Sequence, residues 1–512
     1  MILYSPPAGI RQQGIIHGSF PQVFAFNHRL KIIATGVFSP CRSAFPGAIR
    51  AWKGAPTVFS VASVRYRVGL LTLTAPLDII MLTNAHRYLL TLISFVCGLS
   101  IYPLPASAVP FGSFDPRAMA MGGAGVAAGD SANAVFFNPS LLAQYQTRKH
   151  RARNSHFVFP VSSVSASQTA VDIADLARDQ PEQVFSDAIA TYNANPGQTT
   201  AAGVLNASRA LQNDLRPIAN ESVFFDGLFG LVIGIGDRRE GGAFVLSRRF
   251  VGDGIVNETA ADEQLLADYI EALDFIVSAG ASGAPHPELF DAGGNLLDQT
   301  GSLTSTATAK GLALTELGIA MSWNVELFHH TVDVGFTPKF VQGSTYEYTA
   351  VLANSQQSSA SLEDPDWHFT LDVGLSKAMN DRFKVGVVVK NLLPMAFATQ
   401  SGGRINIEPQ LRAGAAYRSA QWGYWALDLD VLTNPAIGDG DDTRYLSLGG
   451  EWPLKRWRLR GGYKQNFAGR GGFAKWTLTA GIGYDFTAGN IDLAYIDSGP
   501  ERAAALQVSS RF

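Results

Sequence analysis

His368, Asp372 and Ser376 stand four residues apart and are the residue types of a base, its orienting acid and a nucleophile. Residues an even number apart on an extended strand share one face, so all three would project together. A lipid-like ester is the substrate such a trio would hydrolyse. The competing reading is that alternate polar residues wet one face of a strand, and it carries more weight. The chain has no H-E-x-x-H and no G-x-S-x-G. His150, His156, His286 and the pair His329-His330 lie far apart, and Cys41 and Cys97 form no metal-ligand pair. The expectation is a protein without enzyme activity, metal or cofactor.

A second set of residues has special backbone chemistry. Residues 109–148 are dominated by small side chains, and Gly122, Gly123 and Gly125 permit tight turns and close backbone approach. Asn138-Pro139-Ser140 reads as a helix start, with Asn138 as N-cap and Pro139 at the first helical position. Gly123-Ala124-Gly125 has the look of a phosphate loop. The spacing to Gly129 is wrong for a dinucleotide fingerprint, however, and no lysine follows.

The elements that must position these residues are strands. Charged residues make up 16% of the chain, against about 25% in an average soluble protein, while apolar residues reach 46%. A helical membrane protein would carry several apolar runs of about 20 residues, and only the stretch near residue 90 approaches one. Low charge without long apolar runs fits strands that show lipid one face and a lumen the other. Strict alternation supports this. In 366–376, Trp367, Phe369, Leu371, Val373 and Leu375 alternate with polar residues and glycine. The runs 475–486 and 405–418 repeat the pattern. Eleven similar runs lie near 154–164, 222–236, 241–251, 312–326, 329–341, 382–392, 424–433, 444–452, 456–466, 489–497 and 502–512. Turn signals separate many of them, such as Asn380-Asp381 and Ala488-Gly489-Asn490.

A soluble sandwich would alternate too, but here the alternate face carries Lys, Arg, Asp and Glu. Trp323, Trp367, Trp425, Trp457, Trp476 and Tyr495 recur near strand ends, as interfacial girdles do. The expected fold is all-β: an antiparallel transmembrane β-barrel of about 14 strands over 151–512, with outer-membrane lipid around it. Two stretches read as helical insertions. Residues 171–214 place Val184, Ala188, Ile189 and Tyr192 at helical spacing, with Pro181 at a first helical position. Residues 259–279 place Leu266, Tyr269, Ile270, Leu273, Ile276 and Val277 on one stripe.

The N-terminal region reads as targeting sequence. Residues 81–108 hold Arg87, the apolar stretch Leu89 to Leu99, and Ala106-Ser107-Ala108 as a cleavage site, the three parts of a signal peptide in order. Residues 1–80 are then expected to be a mis-assigned extension ahead of a true start at Met81. The rival reading is a basic arm for nucleic acid or a membrane surface. Residues 1–108 hold nine of the 40 basic residues and one of the 43 acidic ones. The remaining chain is therefore acidic, and no direct nucleic-acid partner is expected.

Met119-Ala120-Met121-Gly122-Gly123-Ala124-Gly125-Val126-Ala127, Asp130-Ser131-Ala132 and Phe137-Asn138-Pro139-Ser140-Leu141-Leu142-Ala143 resemble the opening of the TraF-type conjugal transfer proteins. Val389-Lys390-Asn391-Leu392-Leu393-Pro394 and Glu408-Pro409-Gln410-Leu411-Arg412-Ala413-Gly414 resemble the same family, which is similar to the long-chain fatty-acid transporters. The resemblance implies a 14-stranded barrel whose residues 109–150 fold into the lumen as a plug. Its hatch residues would be Gly122, Gly123, Gly125, Asp130, Asn138 and Pro139. It implies a role in plasmid transfer or envelope assembly, with the conjugation apparatus as partner. A passive channel for a small hydrophobic ligand is the alternative. The last strand ends on the aromatic Phe512, which resembles the signal read by the barrel assembly machinery.

Overall fold

The computed structural model describes residues 109–147, 154–236, 240–327, 330–351, 354–419, 421–469, 476–498 and 501–511. The expected extension, the signal peptide, His150, His329 and Phe512 lie outside the described residues.

The first strands are β1 (Asn154–Ser167), β2 (Ser222–Gly236), β3 (Glu240–Asn257), β4 (Thr306–Leu327), β5 (His330–Val351) and β6 (Asn354–Leu362). Next come β7 (Asp366–Ala378), β8 (Phe383–Lys390), β9 (Met395–Ala398), β10 (Arg404–Ile407), β11 (Gln410–Ser419) and β12 (Gly423–Asp430). The chain closes with β13 (Tyr445–Leu454), β14 (Trp457–Asn466), β15 (Trp476–Phe486), β16 (Gly489–Ser498) and β17 (Glu501–Arg511). Fourteen of them form one closed antiparallel ring, in which β17 returns to pair with β1 and β4 with β5. β6 extends the upper part of β5, while β9 and β10 form a separate two-stranded sheet.

The wall is inverted relative to a soluble core. On β16, Ile491, Leu493 and Tyr495 face outward and are 44–54% exposed, whereas the alternate residues Asn490, Asp492 and Ala494 are buried. On β15, Trp476 and Leu478 face out and Thr477 and Thr479 face in. Burying hydroxyls and carboxylates while exposing a continuous apolar skin is costly in water and favourable in lipid. No helix among the described residues is long and apolar enough to cross a membrane.

The two ends of the ring differ. At one end adjacent strands join by short turns, as between β7 and β8 or β15 and β16. At the other the connections are long, as transmembrane barrels arrange them. Two of these carry the helical cap: α3 (Gln168–Asp179), α4 (Pro181–Ala194) and α5 (Gln198–Leu215) after β1, and α6 (Ala260–Ala279) after β3. (The helices α1, Pro116–Ala120, and α2, Ala134–Phe137, belong to the lumenal segment.) The Ser167 and Thr259 hydroxyls cap α3 and α6 by accepting the Ala170 and Asp262 N–H groups. Phe185, Ile189, Tyr192, Leu211, Leu266, Tyr269 and Leu273 build the cap's own core, with Phe185 edge-on to Tyr269 at 5.2 Å.

Several expectations need correction. The run 405–418 is not one strand. Pro409 has no N–H to offer a ladder, so Ile405 and Ile407 pair instead with β9, inside the barrel mouth, and the ring strand begins at Gln410. The insertion 171–214 is three helices, and its inward stripe runs through Phe185 while Val184 is 55% exposed. β4 and β5 extend well past the alternating runs, to 22 residues each. Their upper ends, such as Thr345-Tyr346-Glu347-Tyr348-Thr349, lie toward the capped end of the ring.

Candidate functional site

The lumen is occupied by residues 109–147, and the chain there is shaped by its caps and glycines. Asp115 caps α1 by accepting the Ala118 N–H at 2.9 Å. The chain then reverses at Gly122 and Gly123, whose φ values of +71° and +95° suit glycine. The Gly122 N–H donates to Thr479 Oγ1 at 3.0 Å, and the Thr479 hydroxyl donates to the Ala120 carbonyl at 2.8 Å. A Cβ on Gly122 would sit 2.5 Å from the Tyr463 carbonyl oxygen. The wall reciprocates with glycines of its own. A Cβ on Gly449 would lie 2.4 Å from Met121, on Gly462 2.2 Å from the Gly122 nitrogen, and on Gly481 2.4 Å from Ala120.

Asn138, Pro139 and Ser140 form a second anchor on the other side of the lumen. Asn138 is fully buried; its amide donates to the carbonyls of Val126 and Leu375, and its oxygen accepts from the Ser140 N–H and hydroxyl. Pro139 opens a 3-10 helix, Pro139–Thr147, at the helix start read from the sequence. Here too the wall makes room: a Cβ on Gly335 would lie 2.2 Å from the Ser140 nitrogen, and one on Gly374 1.9 Å from Asn138 Oδ1.

Between the anchors, one carboxylate oxygen of Asp428 accepts both the Gly125 and Val126 N–H groups, at 2.7 and 2.9 Å. Asp130 accepts the Asn133 N–H at 3.1 Å. Of the six residues singled out in sequence, five thus meet the wall or its anchoring groups, and Asp130 shapes a turn. Sequence reasoning missed Asp428 and the wall glycines. Their trace was present: Gly335, Gly374, Gly449, Gly462 and Gly481 all fall on inward positions of their strands.

Charge ties the same segment to the wall. The Arg117 guanidinium donates to Glu451 at 2.9 Å, and Arg460 bridges Glu451 and Asp492 at 2.7 and 2.6 Å. Arg249 grips Asp226 with two hydrogen bonds, donates to the Pro110 carbonyl at 2.8 Å and lies over the Phe114 ring. Arg412 pairs with Asp430 and lies over Phe111 at 4.0 Å. Burial, followed by the nearby Asp130 carboxylate, pushes the Asp115 pKa up to about 7.

A cavity of about 90 Å³ remains between this segment and the wall, near the capped end. Phe111, Phe114, Phe224, Phe225, Val251 and Tyr445 line it. Its carboxylates are already engaged, Glu501 with Lys464 at 2.6 Å and Asp253 with the Ile437 and Gly438 N–H groups. Aromatic walls with paired charges suit a small apolar guest better than an ion.

His368, Asp372 and Ser376 do face inward on β7, but each goes to a different partner. His368 lies 3.2 Å from Asp366 and edge-on to Phe397, Asp372 pairs with Lys339 at 3.1 Å, and Ser376 donates to Asp333 at 3.3 Å. Four residues of strand also separate each neighbour in the trio by roughly 13 Å, too far for proton transfer.

Solved structures align with most of the chain at low identity. A FadL homologue from Pseudomonas aeruginosa is 10% identical, covers 79% of this chain and 97% of its own, and has a TM-score of 0.39. The toluene transporter TodX from Pseudomonas putida is 11% identical, with 79% and 98% coverage and a TM-score of 0.27. A porin from Rhodopseudomonas blastica is 10% identical, with 70% and 99% coverage and a TM-score of 0.26. No curated protein matches the sequence. Residues 135–431, more than half of the chain and including the Asn138 anchor and Asp428, match the family described as F plasmid transfer operon, TraF, protein. A closed, plugged barrel carrying that match over most of its wall belongs to the TraF family.

Proposed function

We propose that this chain is an outer-membrane barrel serving conjugative plasmid transfer, or the envelope assembly that supports it, with its helical cap as the docking surface for the transfer apparatus. The observation that supports this reading is the lumen filled by residues 109–147 and held at two glycine-lined anchors and Asp428. A protein built mainly for free diffusion has little use for a stopper fixed so firmly, whereas a gated or scaffolding component does. On this reading residues 81–108 export the chain, and the C-terminal sequence with its last residue Phe512 is read by the barrel assembly machinery.

A second reading has an observation of its own. The aromatic cavity beside the plug suits a small hydrophobic molecule, which a passive channel would pass when the plug shifts. One pair of measurements separates the two: plasmid transfer frequency in a deletion strain, and uptake of small hydrophobic compounds by liposomes holding the purified protein. Loss of transfer without any uptake supports the first reading. Uptake with normal transfer in the deletion strain overturns it in favour of the second.

A further inference from the structure

Outside the lumen, the cap holds a separate cluster of ligating side chains. Asp268 and Glu271 stand on α6, and His286 and Glu288 stand on the loop that follows it. His286 Nδ1 lies 3.2 Å from a Glu288 carboxylate oxygen and 3.7 Å from an Asp268 oxygen. On the other side of the ring, Nε2 lies 3.2 Å from a Glu271 oxygen. One ligand atom each from Asp268, His286 and Glu288 fall within 4.8 Å of one another.

A tetrahedral ion with bonds of about 2.0–2.1 Å sets its ligand atoms roughly 3.3 Å apart. The two separations measured from Nδ1 bracket that edge. The ring also divides its labour as metal-bound histidines do: one nitrogen faces the candidate ligands, while the other faces a carboxylate that can fix tautomer and orientation. We propose that Asp268, His286 and Glu288 bind a divalent cation of the zinc type, with Glu271 as the positioning carboxylate. The ion ties the loop after α6 back onto the helix. One nitrogen and two oxygens leave a fourth place for water. The nitrogen selects against calcium and magnesium, which take all-oxygen shells.

The test uses the full chain in detergent, with each variant's folding checked by heat-modifiability on a gel. Titration calorimetry with zinc chloride is expected to give one ion per chain. His286→Ala lowers the affinity at least about 100-fold and Glu271→Gln about 10- to 100-fold, while His330→Ala, remote from the cluster, leaves it unchanged. Calcium and magnesium chlorides bind far more weakly than zinc. Zinc also slows proteolysis within 280–289 in the parent protein and not in His286→Ala. The proposal is overturned if zinc binding is equal in the parent and His286→Ala, if no stoichiometric binding occurs, or if calcium binds as well as zinc. A simple ion-paired cluster would give the second of these results.

Discussion

Asp428 satisfies two lumenal N–H groups with one oxygen, and neither donor has another partner of that quality. A buried donor left unpaired costs about 1–3 kcal/mol. Asp428→Ala is therefore expected to loosen the plug, read as faster tryptic cleavage at the buried Arg117 in a barrel that still shows its folded gel mobility. Asp428→Asn, which keeps an acceptor oxygen, should loosen it less. Gly374→Ala attacks the same interface sterically, because the added carbon would meet Asn138. It should lower the melting temperature, while Gly203→Ala, with nothing within 4 Å on α5, should be neutral or mildly stabilising. Asp115 adds a dependence on pH. Its folded pKa of about 7 lies above the ordinary 3.8, so its neutral form is the one the plug favours. That contribution is full below 3.8 and is lost as the pH rises through about 7. Melting temperatures should fall from pH 6 to pH 8, and the fall should shrink in Asp115→Asn, which still caps α1. At this scale the plug's own turn-formers could be read from the sequence, because Gly122 and Asn138 act locally. Asp428 and Gly374 could not, because on their strands they look like any lumenal residue, and their partners are hundreds of positions away in the chain.

The elements were legible wherever a strand has two unlike faces. β2, β7, β15 and β16 follow their alternating runs to within a residue or two. The signal fades where the solvent on the two faces becomes the same. The tops of β4 and β5, and the Ser- and Gln-rich sequence of β6, carry little apolar alternation. The helices of the cap were legible in kind but not in detail, since short amphipathic helices can shift their buried stripe by one position, as Val184 and Phe185 did. What fixes the cap is a set of side-chain to backbone bonds. Asp262 on α6 accepts the N–H groups of Thr304 and Ser305 at 2.8 and 2.6 Å, fastening the start of α6 to the approach to β4. Asp262→Ala is expected to cost about 1–3 kcal/mol in the cap. It would show as faster proteolysis of 280–305 with the ring's gel mobility unchanged.

At the scale of the molecule, ring and plug share no backbone ladder among the described residues, and side-chain bonds hold one to the other. Each of the fourteen ring strands pairs with two others of the ring, β5 adding β6 at its upper end, and none pairs with the described residues 109–147. Deleting 109–147 should accordingly leave a heat-modifiable barrel whose ion conductance in a planar bilayer rises well above that of the intact chain. Loss of the folded band on deletion would mean that the plug templates the ring. The uneven strand lengths have a further effect. β4 and β5 run for 22 residues, while β14 and β15, across the ring from them, run for 10 and 11. With a rise of about 3.3 Å per residue and a tilt of about 40°, one flank climbs roughly 55 Å and the opposite one only roughly 27 Å. The rim is thus a parapet on one side and a sill on the other. Whatever reaches this doorway meets it obliquely, sheltered from behind, with the threshold close to the headgroups.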